Sequence, residues 1–348
     1  MNELLKQLTE AVGVSGAEKE VRLLIRDLIA DHVDKWSVDA LGNLLATKRG
    51  TGKYPMRVLI DAHMDEVGLL ITDIDSQGML KFSTVGGFDD RALLGKVVQV
   101  GPRKITGVIG ARAVHLLKPA EYRKPVKVDA MRIDIGAKNK DAAAGKVKIG
   151  DYAAFVTPYE EIVPGRAAVA KAFDNRCGCA ALVELIRADP YPFDLVAAFT
   201  VQEEVGLRGA GVAAYATKPD AAFVLECTPA YDQPNDDDVS PNVSMGQGVS
   251  IYVMDRGTIQ DPRLVAHLTR TASDLGIPYQ IRQPGGGGTN TAAIQRAHTG
   301  IPAATMAVPG RYAHTPSMMI SLEDYTNLAR LADAALRELT PKIIGLSG

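Results

Sequence analysis

The alternation of apolar and polar positions divides the chain into three stretches. In the first, residues 2–10 have the spacing of a short helix that stops at Gly13-Val14-Ser15-Gly16. Val21, Leu24, Ile25 and Leu28 then fall at i, i+3, i+4 and i+7, which predicts a second helix burying one face. Ser15 with Glu18 three residues later is a capping-box pattern in front of it. Residues 36–38 and 43–47 read as a hairpin around Leu41-Gly42, and residues 56–61 as a short apolar strand. From about Val67 to Val156 the texture changes. Strand-like pieces at 68–72, 79–83, 97–100, 104–109, 131–135 and 152–156 are separated by Gly, Asp and Lys turns, with no amphipathic helix longer than two turns. Regular short strands predict a small β barrel or sandwich. The third stretch returns to α/β: apolar strands at 193–199, 221–227, 249–254 and 301–308 alternate with helices, the last one capped by Ser321 and Asp324.

The predicted architecture is therefore an α/β domain, residues 1–66 and 157–348, interrupted by a β-rich insertion at 67–156. A length of 348 residues agrees with about two domains. Net charge is −2, and no Lys/Arg-rich block stands out, which argues against nucleic acid or an anionic membrane as the main partner. No apolar run reaches the roughly 18 residues that span a bilayer. Three cysteines, two of them in Cys177-Gly178-Cys179, do not form a secreted disulfide framework. The amino terminus has no signal-peptide apolar core. The expected compartment is the cytoplasm.

Candidate chemistry collects where strands end. The strand at 193–199 runs into Thr200-Val201-Gln202-Glu203-Glu204-Val205-Gly206, and two carboxylates there can divide labour between metal binding and proton transfer. Taken alone, such a pair is more often a solvated loop feature. The strand at 56–61 ends in Ala62-His63-Met64-Asp65; His63 and Asp65, two apart, share a face, and an Asp beside a liganding His commonly fixes its aim. Asp174 precedes a helix and suits either its N-cap or a bridge between cations. Glu226 stands to its strand as Glu203 and Glu204 stand to theirs, and His314 arrives just past the strand at 301–308. Cys177 and Cys179 read as buried thiols, and His267 and His298 as structural or surface residues; His115 is assigned no chemistry. Asp236-Asp237-Asp238 reads as a solvated face. Gly285–Gly288 lack the Lys-Ser/Thr of a phosphate loop and suit close backbone approach instead. Mixed His and carboxylate ligands suit Zn²⁺ or Co²⁺, with Mn²⁺ also accommodated. Five such groups, one of them bridging, fit a hydrolytic site with two divalent metal ions, and one further carboxylate is left to act as general base.

At these motifs the chain resembles the M42 metallo-aminopeptidases, whose shell-forming members are the TET peptidases. The resemblance runs through residues 61–68, 172–176, 201–210 and 311–315 and covers nearly the whole chain. It implies a zinc-exopeptidase-like mixed sheet flanked by helices, with an inserted small β-barrel used for dimerisation. It further implies that Asp174 bridges two metals, that Glu204 and His314 complete one site, and that His63 and Glu226 complete the other. Glu203 is then the general base and Asp65 orients His63. Peptide substrates and a dimer-based homo-oligomer, up to a dodecamer, follow from the same likeness. Two positions depart from the family's pattern: relatives often have Asp at Glu226, and many have Asp at Asn290. Rival expectations are an amidohydrolase of N-acyl amino acids and a shell-forming scaffold with a vestigial site. Some relatives carry cellulase labels, but glycosidases generally need two acids flanking the bond and no metal pair.

Overall fold

The structure is a computed structural model that describes residues 2–120, 123–232, 243–283 and 287–346. Helices α1 (Asn2–Glu10) and α2 (Lys19–Ile29) lead into strands β1 (Lys35–Val38), β2 (Leu44–Lys48) and β3 (Arg57–His63). Strands β4 (Gly68–Ile74), β5 (Leu80–Val85), β6 (Val97–Val100), β7 (Ile105–Gly110), β8 (Arg132–Asp134) and β9 (Tyr152–Phe155) follow, with the short α3 (Lys140–Ala144) between the last two. They close into a barrel in the order β4-β5-β8-β7-β6-β9 around Leu69, Ile71, Val98, Ile109 and Ile133. The chain returns through β10 (Glu160–Val163), β11 (Ala167–Ala170), α4 (Phe173–Arg187), β12 (Asp194–Thr200), α5 (Arg208–Thr217) and β13 (Ala221–Pro229). It ends with β14 (Val249–Tyr252), α6 (Pro262–Asp274), β15 (Tyr279–Arg282), α7 (Thr291–Gln295), β16 (Ala303–Arg311), β17 (Met318–Ser321) and α8 (Leu322–Glu338).

One large mixed sheet runs β1-β2-β12-β3-β13-β16-β17-β11-β10, with β14 paired to β16 and β15 to β14. Its centre, β12-β3-β13-β16, is parallel. Period-two alternation sends the two faces of these strands into different cores. Val58, Ile60, Ala62, Phe199, Phe223 and Leu225 pack in the core that includes Phe173, Leu182, Leu328 and Leu331 of α4 and α8. Leu59, Val196, Ala198, Ala222 and Val224 face a smaller core with Ala210, Ala213 and Ile294 of α5 and α7. By this alternation His63, Thr200, Glu226 and Thr228 lie on the second face, at the carboxyl ends of neighbouring strands. That is where open α/β sheets gather ligands.

Two sequence expectations at helix starts are corrected. Ser15 does not cap α2: the residue before the helix is Glu18, which makes no side-chain cap, and the Ser15 hydroxyl goes elsewhere. Asp174 does not cap α4 either: Ala172 precedes the helix, and Asp174 itself departs from helical geometry. The cap of α8 is as expected, with Ser321 Oγ accepting from Asp324 N at 3.2 Å. Asp236–Asp238 and Gly285–Gly286 lie outside the described residues.

Candidate metal centre

Register brings the ligands level. His63 ends β3 opposite Thr200 of β12, and Val224 of β13 pairs with Asp61, which places Glu226 beside His63. Beyond Thr200 the chain turns through Gln202, at φ 59°, and Gly206, at φ 120°, before α5. Gly209 at the start of that helix has to be glycine. A Cβ there would lie 2.3 Å from Asn43 Oδ1, and that side chain ties the turn down by donating to Gly209 O and accepting from Val201 N. Asn175 anchors the next residue of the site from the other side, donating to Leu225 O at 2.7 Å.

The six predicted side chains converge. His63 Nε2 lies 3.2 Å from Asp174 Oδ1 and 3.5 Å from Glu226 Oε2. His314 Nε2 lies 3.2 Å from Glu204 Oε2 and 3.6 Å from Asp174 Oδ2. The two oxygens of Asp174 thus face two different imidazoles. His63, Asp174 and Glu204 offer ligand atoms within 4.8 Å of one another, and so do His63, Glu203 and Glu226. His63 is buried, whereas His314, on a loop, leaves 41% of its side chain exposed. The cluster opens into a cavity of about 530 Å³.

Asp65 does more than aim the imidazole. Its backbone oxygen is 3.1 Å from His63 Nδ1, with Oδ1 at 3.5 Å, so Nε2 is turned toward the carboxylates. Its two carboxylate oxygens also accept the backbone N–H of Glu203 at 3.0 Å and of Glu204 at 3.1 Å, and Ser15 Oγ donates to it at 2.6 Å. One buried carboxylate therefore fixes the positions of the imidazole and of both glutamates. Sequence spacing showed the first of these contacts and missed the other two.

The electrostatics are those of an excess of acids. Burial pushes the Glu203 carboxyl well above its usual range; Glu226, Asp65 and Asp174 add to this and His63 opposes it. Burial, then Asp174 and Glu203, does the same to Glu204, and burial raises Glu226 against the pull of His63. His63 is raised well above the ordinary imidazole value: burial disfavours its charge, but Glu226, Asp174 and Asp65 outweigh that. Among the described residues no lysine or arginine pairs with Asp174, Glu203, Glu204 or Glu226, and the buried Glu226 Oε1 has no hydrogen-bond partner. Four clustered carboxylates with two imidazoles, one oxygen left orphaned, fit divalent cations.

Behind the cluster, Asn290 Nδ2 donates to Asp61 Oδ2 at 2.8 Å and Thr200 Oγ1 at 2.9 Å. Burial pushes Asp61 up to about 7. The other candidates from sequence are structural. Cys177 and Cys179 are buried, the latter donating to His63 O, while His267 bonds Ala335 O and His298 bonds Tyr215 O.

The chain as a whole is similar to known proteins. A family model described as M42 glutamyl aminopeptidase matches residues 42–331. A lysyl aminopeptidase of Pyrococcus furiosus is 30% identical, with 97% of each chain covered. A glutamyl aminopeptidase of Lactococcus lactis is also 30% identical, covering 96% of this chain and 95% of its own. The crystal structure of a TET aminopeptidase from Thaumarchaeota archaeon SCGC AB-539-E09 superposes with a TM-score of 0.95 at 35% identity, covering 99% and 98% of the two chains. The TET1 peptidase of Pyrococcus horikoshii, which can assemble into a tetrahedron or a large octahedral shell, gives 0.84 at 35% identity, covering 97% and 99%.

Proposed function

This chain belongs to the M42 family of metal-dependent aminopeptidases, hydrolases that act on peptide bonds, and from that premise we propose how its own residues divide the work. Asp174, with an oxygen toward each imidazole, would be shared by two divalent cations, Zn²⁺ or Co²⁺ with Mn²⁺ also suited to the donors; Glu204 and His314 would hold one, and His63 and Glu226 the other. The observation that carries this reading is the split of the Asp174 oxygens between His63 and His314. Bound there, the cations supply Lewis-acid polarisation of the scissile carbonyl and acidify a water molecule.

Glu203 is the general base. Its side chain lines the cavity beside the ligands, and the division of ligands proposed above leaves it outside both sets, free to take the proton from water and hand it to the leaving amine. Asp65 is a positioning residue: by accepting the N–H groups of Glu203 and Glu204 it keeps the base and a ligand at a fixed offset. The free amine of an N-terminal residue, one more donor for the ligand cluster, suits removal of that residue from a peptide better than cleavage of an N-acyl amino acid.

Glu203→Gln keeps the size of the side chain and removes the base. Loss of roughly a hundredfold to ten-thousandfold in kcat on aminoacyl-p-nitroanilides, with metal content equal to the wild type, is expected. Near-normal turnover contradicts the assignment, and preference of the wild type for N-acyl amino acids over free-amine substrates favours the amidohydrolase instead.

We also propose that residues 67–156 form a dimerisation domain set into the catalytic domain of residues 1–66 and 157–348. The closed barrel and the shell assembly of the TET1 relative support a dimer-based homo-oligomer, up to a dodecamer. No helix among the described residues is long and apolar enough to cross a membrane. Three buried free cysteines suit a cytoplasmic, reducing setting.

A further inference from the structure

The lining of the cavity also carries positive charge, opposite to that of the acids in the metal cluster. Arg282, the last residue of β15, lines it together with Tyr252 and the exposed Arg256. Arg282 is only 3% exposed. Its Nε donates to Thr228 Oγ1 at 3.0 Å, and its guanidinium lies 4.4 Å from the centroid of the Tyr252 ring. Nη1 is buried without a hydrogen-bond partner, and no carboxylate among the described residues forms an ion pair with the group.

A guanidinium stays charged at any pH a protein survives, so it cannot escape burial by losing its proton. Burying it unpaired is costly, and the normal outcome is a carboxylate or phosphate in its fork. Arg311 shows that outcome within the same molecule: its Nε and Nη2 reach the two oxygens of Asp232 at 2.7 and 2.8 Å. Arg311 is therefore already neutralised, while Arg282, deeper and lining the same cavity as the metal cluster, finds no carboxylate among the described residues.

The anchor also fixes the distance to the chemistry. Thr228 is two residues beyond Glu226 on the same face of β13, roughly 7 Å along the strand. That is about the span of two extended residues of a peptide. We infer that Arg282 is a specificity residue that receives a carboxylate of the substrate, while the scissile end sits at the metal cluster. The inference rests on the aminopeptidase reading of that cluster. The carboxylate has two sources: the side chain of an N-terminal Glu or Asp, or the free C-terminus of a short peptide. Both put a fork-shaped acceptor against the guanidinium that lines the cavity, and both leave neutral substrates facing an uncompensated buried charge.

The test compares kcat/KM within two isosteric pairs on the metal-loaded protein. Glutamyl- against glutaminyl-p-nitroanilide reads the side-chain source, and Leu-Ala against Leu-Ala-amide reads the C-terminal source. One pair is expected to favour its carboxylate by roughly tenfold to a hundredfold, the worth of one charge-assisted hydrogen bond. Arg282→Met, which keeps an apolar stem over Tyr252, is expected to bring that ratio close to one. A merely structural defect would lower both members of the pair together and leave the ratio standing. Competitive inhibition by L-glutamate but not L-glutamine, lost in Arg282→Met, gives a readout of the side-chain source separate from turnover. If the wild type hydrolyses all four substrates with both ratios near one, the inference is overturned and the aminopeptidase assignment survives. A wild-type preference that persists in Arg282→Met also overturns it, and hydrolysis of none of the four, with metal bound, overturns both.

Discussion

Glu66 and His63 lie three residues apart at the end of β3, yet they belong to buried ionic clusters of opposite design. Glu66 meets Lys171 Nζ at 2.7 and 2.9 Å and Arg176 Nη2 at 3.2 Å, and accepts Gly13 N at 2.9 Å. The remaining donors of the two cations go to the carbonyls of Leu8, Ala11 and Met64. Burial pulls Lys171 down to about 8, with Glu66 opposing. This group is closed: every charge finds its partner within the chain, and it ties α1, β3 and α4 together. In the neighbouring cluster Asp174, Glu203, Glu204 and Glu226 outnumber two imidazoles, and an oxygen of Glu226 is orphaned. The first cluster holds the fold, whereas the second needs positive charge from outside the chain.

The contrast can be broken at its closed end first. Glu66→Gln leaves Arg176 charged without a carboxylate and takes from Lys171 the one that opposes its burial, so a loss of about 3–5 kcal/mol of stability is expected from urea unfolding. Replacing Glu66 and Lys171 together by Leu and Met removes one of the two cations that lose their carboxylate, leaving Arg176 to its carbonyl partners, and the double variant should recover part of that loss. A double variant no better than the single one would mean that the charge of Lys171 does not set the cost.

Metal removal acts on the open cluster alone. Chelation is expected to lower the stability of the wild type by about 2.7 kcal/mol for each site whose free ion stands at a hundred times its Kd. The cost of Glu66→Gln should be the same with and without metal. Strong coupling between the two would show that the clusters are not separate.

The smallest effect is on pH. In the metal-free protein the carboxyls of Glu203, Glu204 and Glu226 and the imidazole of His63 are all held above their ordinary values of 4.5 and 6.5. Between the ordinary and raised values the folded state binds more protons than the unfolded state, so stability falls as pH rises through that window. Cations compete with those protons, so the gain in melting temperature on adding metal should grow with pH over the same range. A metal-free protein that becomes more stable between pH 5 and pH 8 contradicts the charge excess ascribed to the site.

The two clusters also differ in how far they could be read from sequence. Each residue of the candidate site lies at or just past the end of an apolar run or opens a helix, so strand periodicity and residue type sufficed to collect His63, Asp174, Glu203, Glu204, Glu226 and His314. The barrel strands were legible for the same reason, through their regular spacing between turns. The Glu66–Lys171–Arg176 group left no such mark, because its partners are 105 and 110 residues apart. Ser15 misled in the same way. Its spacing to Glu18 matches a capping box, but a carboxylate 50 residues away takes the hydroxyl. Arg282 could not be found from sequence either, since an arginine ending a short strand looks like any solvated one until its burial and missing partner are seen.

The central claim is that this surplus of buried acid exists to hold two cations shared by Asp174. Anomalous diffraction at the metal edge, from crystals grown with Zn²⁺ or Co²⁺, tests it most directly. Two peaks are predicted in the cluster, one contacting Glu204 and His314 and the other His63 and Glu226, both within reach of Asp174. No peak among these side chains, in crystals that show the metal bound elsewhere, would contradict the account.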